Sequence, residues 1–255
     1  MAAERDITES WSRLQVELSA RRIAEDRVDF STSAPFAGLR LVGGVDISYP
    51  RGDEGSDTAV VALTVLAFPS LDVLYAHSEA VAITAPYIPG FLAFRESAAY
   101  RAAFDRLRRS HPELWPQVVM VDGNGTLHPR RFGSACHVGV EMDVPTIGVA
   151  KNLLHIKGTD ADAKQLKRLF AEDPELQEAP ISAGSEIYGV AVAPAGESAK
   201  NPIFVSPGHR VSMRTAVELA RCCSVHRVPE PIRVADLRSR EVARQMEQGL
   251  FDSEA

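Results

Sequence analysis

Three strand-like runs follow one another with no helical pattern between them: LRLVGGVDISY (39–49), TAVVALTVLAF (58–68) and DVLYAHSEAVAI (72–83). Each is rich in β-branched and aliphatic residues, and Pro69 and Ser70 supply a turn between the second and third. Consecutive strands joined this way pair antiparallel, so the chain builds a meander. The pattern then changes. Residues 90–110 carry helical spacing, QVVMVD (117–122) is a short buried strand, SACHVGVEM (134–142) a helix and VPTIGVA (144–150) another strand. Strand–helix–strand alternation implies parallel pairing. The expected fold is therefore α/β, a mixed sheet with flanking helices.

Further helices are expected near the N-terminus, over about 6–29, where Trp11, Leu14, Leu18 and Ile23 sit near helical spacing, at 159–172, and at 211–225. Residues 173–202 have the least regular pattern. At 255 residues, with 45% hydrophobic and 24% charged residues, the chain has the composition of a globular protein, and one domain over 1–255 is expected. The net charge of −6 excludes a polybasic nucleic-acid coat. Three cysteines, Cys136, Cys222 and Cys223, match neither a disulfide framework nor a zinc pattern. The start MAAERDITES has no secretory character, and the longest apolar stretch, around Ala59–Phe68, is too short for a membrane span. A cytoplasmic monomer with no membrane partner is expected.

Three acids stand in unusual places. Asp46 lies inside the first strand, alternating with Val45 and Ile47; Asp122 ends the QVVMVD strand. Glu96 shares a helical stripe with Leu92, Ala99, Ala103 and Leu107. A carboxylate aimed at a core is costly unless compensated, and three that converge would repel one another unless a divalent cation lay between them. All-oxygen ligands favour Mg²⁺, with Mn²⁺ able to substitute, over zinc. Each acid also has a plain reading: Asp122 as a turn residue, Asp46 paired with an arginine across the sheet, Glu96 paired with Arg95 or Arg101.

The surroundings bear on nucleic acid. In PYIPG the prolines Pro86 and Pro89 fix the backbone around Tyr87 and Ile88, which could wedge between bases or simply cover the core. In VDGNGTLHPRRFG, Gly123 and Gly125 allow close backbone approach, and His128, Arg130 and Arg131 supply donors and positive charge for phosphate. Lys151 follows a strand, and His209 sits at a turn before the late helix, where it could ligate metal, carry a proton or touch phosphate. Residues 86–159 hold nine Lys and Arg against six acids, a locally positive stretch in an acidic chain.

Together VGGVDISY, PYIPGFLAFRE, VDGNGTLHPRRFG, VPTIGVAKNLL and SPGHRVS closely resemble the endonuclease V family, collinearly over about 36–240. The resemblance implies a ribonuclease H-like fold. It implies that Asp46 and Asp122 bind metal, that Glu96 is the active-site glutamate, and that Tyr87 is the wedge. His128 and Lys151 match active-site residues, His209 a histidine near the metals, and Gly123 and Gly125 the pocket for the altered base. The implied activity is Mg²⁺-dependent cleavage of inosine-containing DNA at the second phosphodiester bond 3′ to the lesion. Inosine in single-stranded RNA is the alternative substrate, and a non-catalytic binder of distorted nucleic acid would not need the acids. Cys136 departs from the alanine or serine expected there.

Overall fold

The computed structural model describes residues 2–50, 56–159, 161–195 and 201–248. The meander forms as expected: β1 (Leu41–Ser48), β2 (Thr58–Ala67) and β3 (Val73–Ala82) pair antiparallel. After α2 (Leu92–Ser110) come β4 (Val118–Asp122), α3 (Ser134–Met142) and β5 (Thr146–Ala150), and β1, β4 and β5 pair parallel. The chain continues through α4 (Ala163–Glu172), β6 (Glu178–Ala183), β7 (Glu186–Val192), β8 (Ile203–Pro207), α5 (Met213–Cys222) and α6 (Glu230–Glu247). Helix α1 (Ala2–Ala20) precedes them all. The eight strands form one sheet in the order β3-β2-β1-β4-β5-β8-β7-β6. Its first five strands have the ribonuclease H-like arrangement.

The core divides by strand parity. Val45, Val119 and Val121 face α2 and α3, where Tyr100, Phe104 and Leu107 pack on them. Val42, Val118, Met120, Ile147 and Val149 face the opposite side, with Ile232 of α6 and Leu219 of α5. On that side α6 crosses β1 and β2 very closely. A Cβ built on Gly44 would lie 2.1 Å from the Pro231 carbonyl oxygen, and Thr64 donates a 2.9 Å hydrogen bond to that same oxygen. Only glycine admits this approach.

Three regions differ from the sequence reading. The N-terminal helix ends at Ala20, so Ile23 is not on its face. The chain there becomes a strap along the loop after β8: Ile23 N–H donates to His209 Nδ1 and Arg27 N–H to the Arg210 carbonyl. Within 173–202 the structure forms the β6–β7 hairpin, turned at Gly184 with φ of +60°; residues 196–200 lie outside the described residues. The long helix α6, built mostly of charged and small residues, has no counterpart in the sequence reading. Among the described residues no helix is long and apolar enough to cross a membrane.

Candidate active site

The parallel register of β1 on β4 pairs Val45 with Val121, so the next residue of each strand, Asp46 and Asp122, sits side by side. Both point away from α2, toward α6. From α6 comes a third carboxylate, Asp236, and one oxygen from each of the three lies within 4.8 Å of the others. Lys151, two residues past the Val149 that pairs with Asp122, points to the same side. Its Nζ lies 2.6 Å from Asp122 Oδ2 and also binds Asp236 Oδ1. Arg240 reaches that Asp236 oxygen at 3.0 Å.

Asp46 is 5% exposed and is held from two sides. Ser239, one turn along α6 from Asp236, donates to Asp46 Oδ2, and Ser48 Oγ donates to the same oxygen at 3.3 Å. Burial raises the Asp46 pKa above the usual carboxylate range, and the nearby Asp122 charge raises it further. Burial works against the charge on Lys151, but the two carboxylates outweigh it and hold its pKa above the ordinary lysine value. Three crowded acids, one of them disfavoured as an anion, fit a divalent cation: hard oxygen donors are in place, and a cation would relieve the repulsion.

Glu96 takes a different place from the one expected. It is buried on α2, yet it is not one of the three clustered acids. Its Oε1 accepts from Tyr49 at 3.0 Å and its Oε2 from Tyr100 at 3.3 Å. α2 packs on the opposite face of the sheet from α6, and the two tyrosines fix the Glu96 carboxylate on that helix. The Tyr100 hydroxyl feels Glu96, Asp46 and Asp122, and with burial they hold its pKa well above the ordinary tyrosine value.

His209 lies elsewhere. β8 runs antiparallel to β5, with Ala150 opposite Phe204 and Ile147 opposite Pro207. His209 is thus carried past the start of β5, where it exchanges backbone and hydroxyl hydrogen bonds with Thr146. Asp122 sits at the other end of that strand pair. His209 Nδ1 accepts from Ile23 N–H, and burial followed by the Arg210 charge lowers its pKa to about 4. It is a neutral structural residue, not a metal ligand.

A cavity of about 430 Å³ adjoins the carboxylates, with Asp122 and Gly123 in its wall, within the range of small-ligand sites. Tyr87, Pro89, His128, Arg130, Phe132 and Leu154 line it. Tyr87 is 45% exposed at this cavity and Pro86 is exposed beside it, whereas Ile88 is buried and so cannot serve as a wedge. Gly123 has φ of +149° and belongs to the wall. Gly125 does not: its N–H donates to Ser206 Oγ, and a Cβ there would meet the Pro207 carbonyl at 2.2 Å, so it serves packing against β8.

The basic residues around the cavity are largely committed to the protein. His128 donates to the Gly90 carbonyl, while its Nδ1 accepts from Arg130 N–H; burial and the Arg130 charge hold its pKa at about 4, so the ring is neutral. Arg130 donates to Gln15 and to the Gly90 carbonyl and lies 4.1 Å over the Phe91 ring. Arg131 pairs with Glu186 and donates to the Ile187 carbonyl. These contacts tie the 86–90 loop, α1 and the 123–133 loop into one wall. Residues not singled out in the sequence, Asp236, Ser239, Tyr49 and Tyr100, complete the site. The available signal was the spacing of Ile232, Asp236 and Ser239 on one helical side.

Acids at the ends of adjacent parallel strands of a ribonuclease H-like sheet, oxygen donors only, with a lysine alongside, define a metal-dependent nuclease. The family model described as Endonuclease V matches residues 22–237, and the chain belongs to that family. Human endonuclease V is 42% identical over 232 residues, covering 91% of this chain and 81% of the human protein. The crystal structure of the human catalytic domain superposes with a TM-score of 0.87 at 41% identity, covering 96% of this chain and 99% of that one. A Ciona intestinalis endonuclease V, in complex with a 23mer DNA containing an inosine followed by a ribo-adenosine, gives a TM-score of 0.85 at 34% identity, covering 94% and 98% of the two chains.

Proposed function

We propose that this nuclease recognises deoxyinosine in DNA and, with Mg²⁺, hydrolyses the second phosphodiester bond 3′ to it, leaving 3′-hydroxyl and 5′-phosphate ends. The carrying observation is that the 430 Å³ cavity and the carboxylate group share Asp122. A base turned into the cavity brings the adjoining backbone to the carboxylates. Unpairing a base costs a few kcal/mol, least at a damaged pair, which favours the lesion. Tyr87 is placed at the cavity to stack where the base leaves. Backbone groups near Gly123 would read the hypoxanthine edge, and a polar group matched to its oxygen would be unpaired against adenine.

Asp46, Asp122 and Asp236 would hold the cation, and Glu96, buried on α2, adds a further negative charge to the group. Bound there, Mg²⁺ would supply a lowered pKa for attacking water and charge neutralisation at the phosphate. Lys151 holds its positive charge beside Asp122, where negative charge grows during attack. Ser239 and Ser48 keep the Asp46 carboxylate in one orientation. Three free cysteines support the cytoplasm.

The Ciona ligand favours a second reading, inosine in RNA. In a strand where ribo-adenosine follows inosine, the second 3′ bond carries a neighbouring 2′-hydroxyl. Nicking of matched inosine strands, as single-stranded RNA and as duplex DNA, mapped to the nucleotide, separates the two readings. On the preferred substrate Tyr87→Ala is expected to weaken lesion binding by roughly tenfold or more, the size of one lost stacking contact, without changing cation affinity. Inosine-strand binding by Tyr87→Ala within about twofold of the parent would end the wedge assignment.

A further inference from the structure

A second cavity, of about 310 Å³, lies beyond Lys151 and is lined by Lys151, Asn152, Lys167, Asn201 and Arg227 among others, with no acid among the described residues of its lining. Among the described residues Arg227 is tied down by carbonyls alone: its Nε donates to Asn201 at 3.0 Å, and its Nη2 donates to Lys151 at 2.6 Å and to Pro202 at 3.1 Å. Among the described residues Nη1 has no acceptor, which leaves its N–H groups for a ligand. Among the described residues no carboxylate pairs with Arg227. A half-buried guanidinium balanced only by carbonyl dipoles is a strong attractor for an oxyanion. Lys167 of α4 is exposed and has no ion partner among the described residues. Asn152 and Asn201 add amide donors.

The two cavities are neighbours. Asn152 and Leu153 line this one, and the next residue, Leu154, lines the one proposed for the base. The Asp122–Lys151 ion pair joins them, each cavity holding one partner. We propose that the second cavity is a phosphate subsite for the nucleic-acid strand 3′ to the cleaved bond. This rests on the functional reading above. With the base in the first cavity and the scissile phosphate at the carboxylates, the backbone that continues past Lys151 runs in the 3′ direction and enters the second.

The test is fluorescence anisotropy with 5′-labelled oligonucleotides in Ca²⁺, as inosine and adenine versions. Each is made in a long form and in a short form ending at the nucleotide just past the cleaved bond. Lys167→Glu, an exposed substitution, is expected to weaken the long inosine strand by roughly tenfold. Its slope of log affinity against log salt should be shallower by about one, while the short strand stays within about twofold. Arg227→Lys, which keeps the charge but loses the fork, should give a smaller loss of the same selectivity. A loss equal on both lengths, or on neither, overturns the subsite. The wild-type inosine-to-adenine ratio is a separate readout. A ratio of one removes the lesion reading, while the contrast between lengths still decides whether the cavity takes downstream phosphate.

Discussion

Asp122→Ala is expected to lower nicking of an inosine strand by about a thousandfold or more while the protein stays folded, because one residue serves both the cation group and the wall of the base cavity. The fold should not suffer. Asp122 repels Asp46, which burial already disfavours as an anion, and Lys151 keeps its second partner, Asp236. In EDTA the variant should melt no lower than the parent, the pattern of a residue kept for function at a cost in stability. Nicking near the parental rate in Mg²⁺, with an unchanged melting curve, would remove Asp122 from the chemistry.

Gly44→Ala is expected to cost about 3 kcal/mol of stability, the upper part of the range for forcing atoms into a packed site. The added Cβ would sit 2.1 Å from one backbone atom of α6, the Pro231 carbonyl oxygen, and 2.2 Å from another, its carbon. Backbone has no rotamer with which to yield, so α6 must move off β1. That loss corresponds to a fall in Tm of roughly 6–12 °C for a chain of this size. Nicking should fall with it, beyond what unfolding explains, because the displaced helix carries Asp236 and Ser239. Calorimetry and nicking at a temperature where both proteins are folded check the two parts. A melting shift under about 2 °C would show that α6 is not pressed on Gly44 as described.

The meander and the β4–α3–β5 unit were legible because their residues alternate or repeat with the period of the element they form. The resemblance put Asp46 and Asp122 at one metal, but only the structure shows that β1 lies beside β4 and brings the two acids together. Helix α6 was not legible. Its buried side is Ile232, Ala235, Ser239 and Ala243, mostly small residues among arginines and acids, because the sheet it crosses leaves room for little else. Without that helix Glu96, on its clear apolar stripe, was the natural third ligand, and Asp236 was marked only by its helical spacing from Ile232 and Ser239. The place of His209 depends on strand direction: a sequence shows that SPGH follows a strand, but only pairing antiparallel to β5 reveals which end it reaches. Tyr87 and Ile88 looked alike as candidate wedges, and only packing separates the exposed ring from the buried aliphatic side chain.

The central claim is that acids from β1, β4 and α6 surround a divalent ion that acts on a strand held by its altered base. Nicking of one end-labelled strand with a single inosine, run beside an adenine copy, in Mg²⁺ and in excess EDTA, tests it most directly. One cut at the second bond 3′ to inosine, in the Mg²⁺ lane alone, is the result predicted. Cutting that persists in EDTA, or that treats adenine and inosine alike, would contradict it.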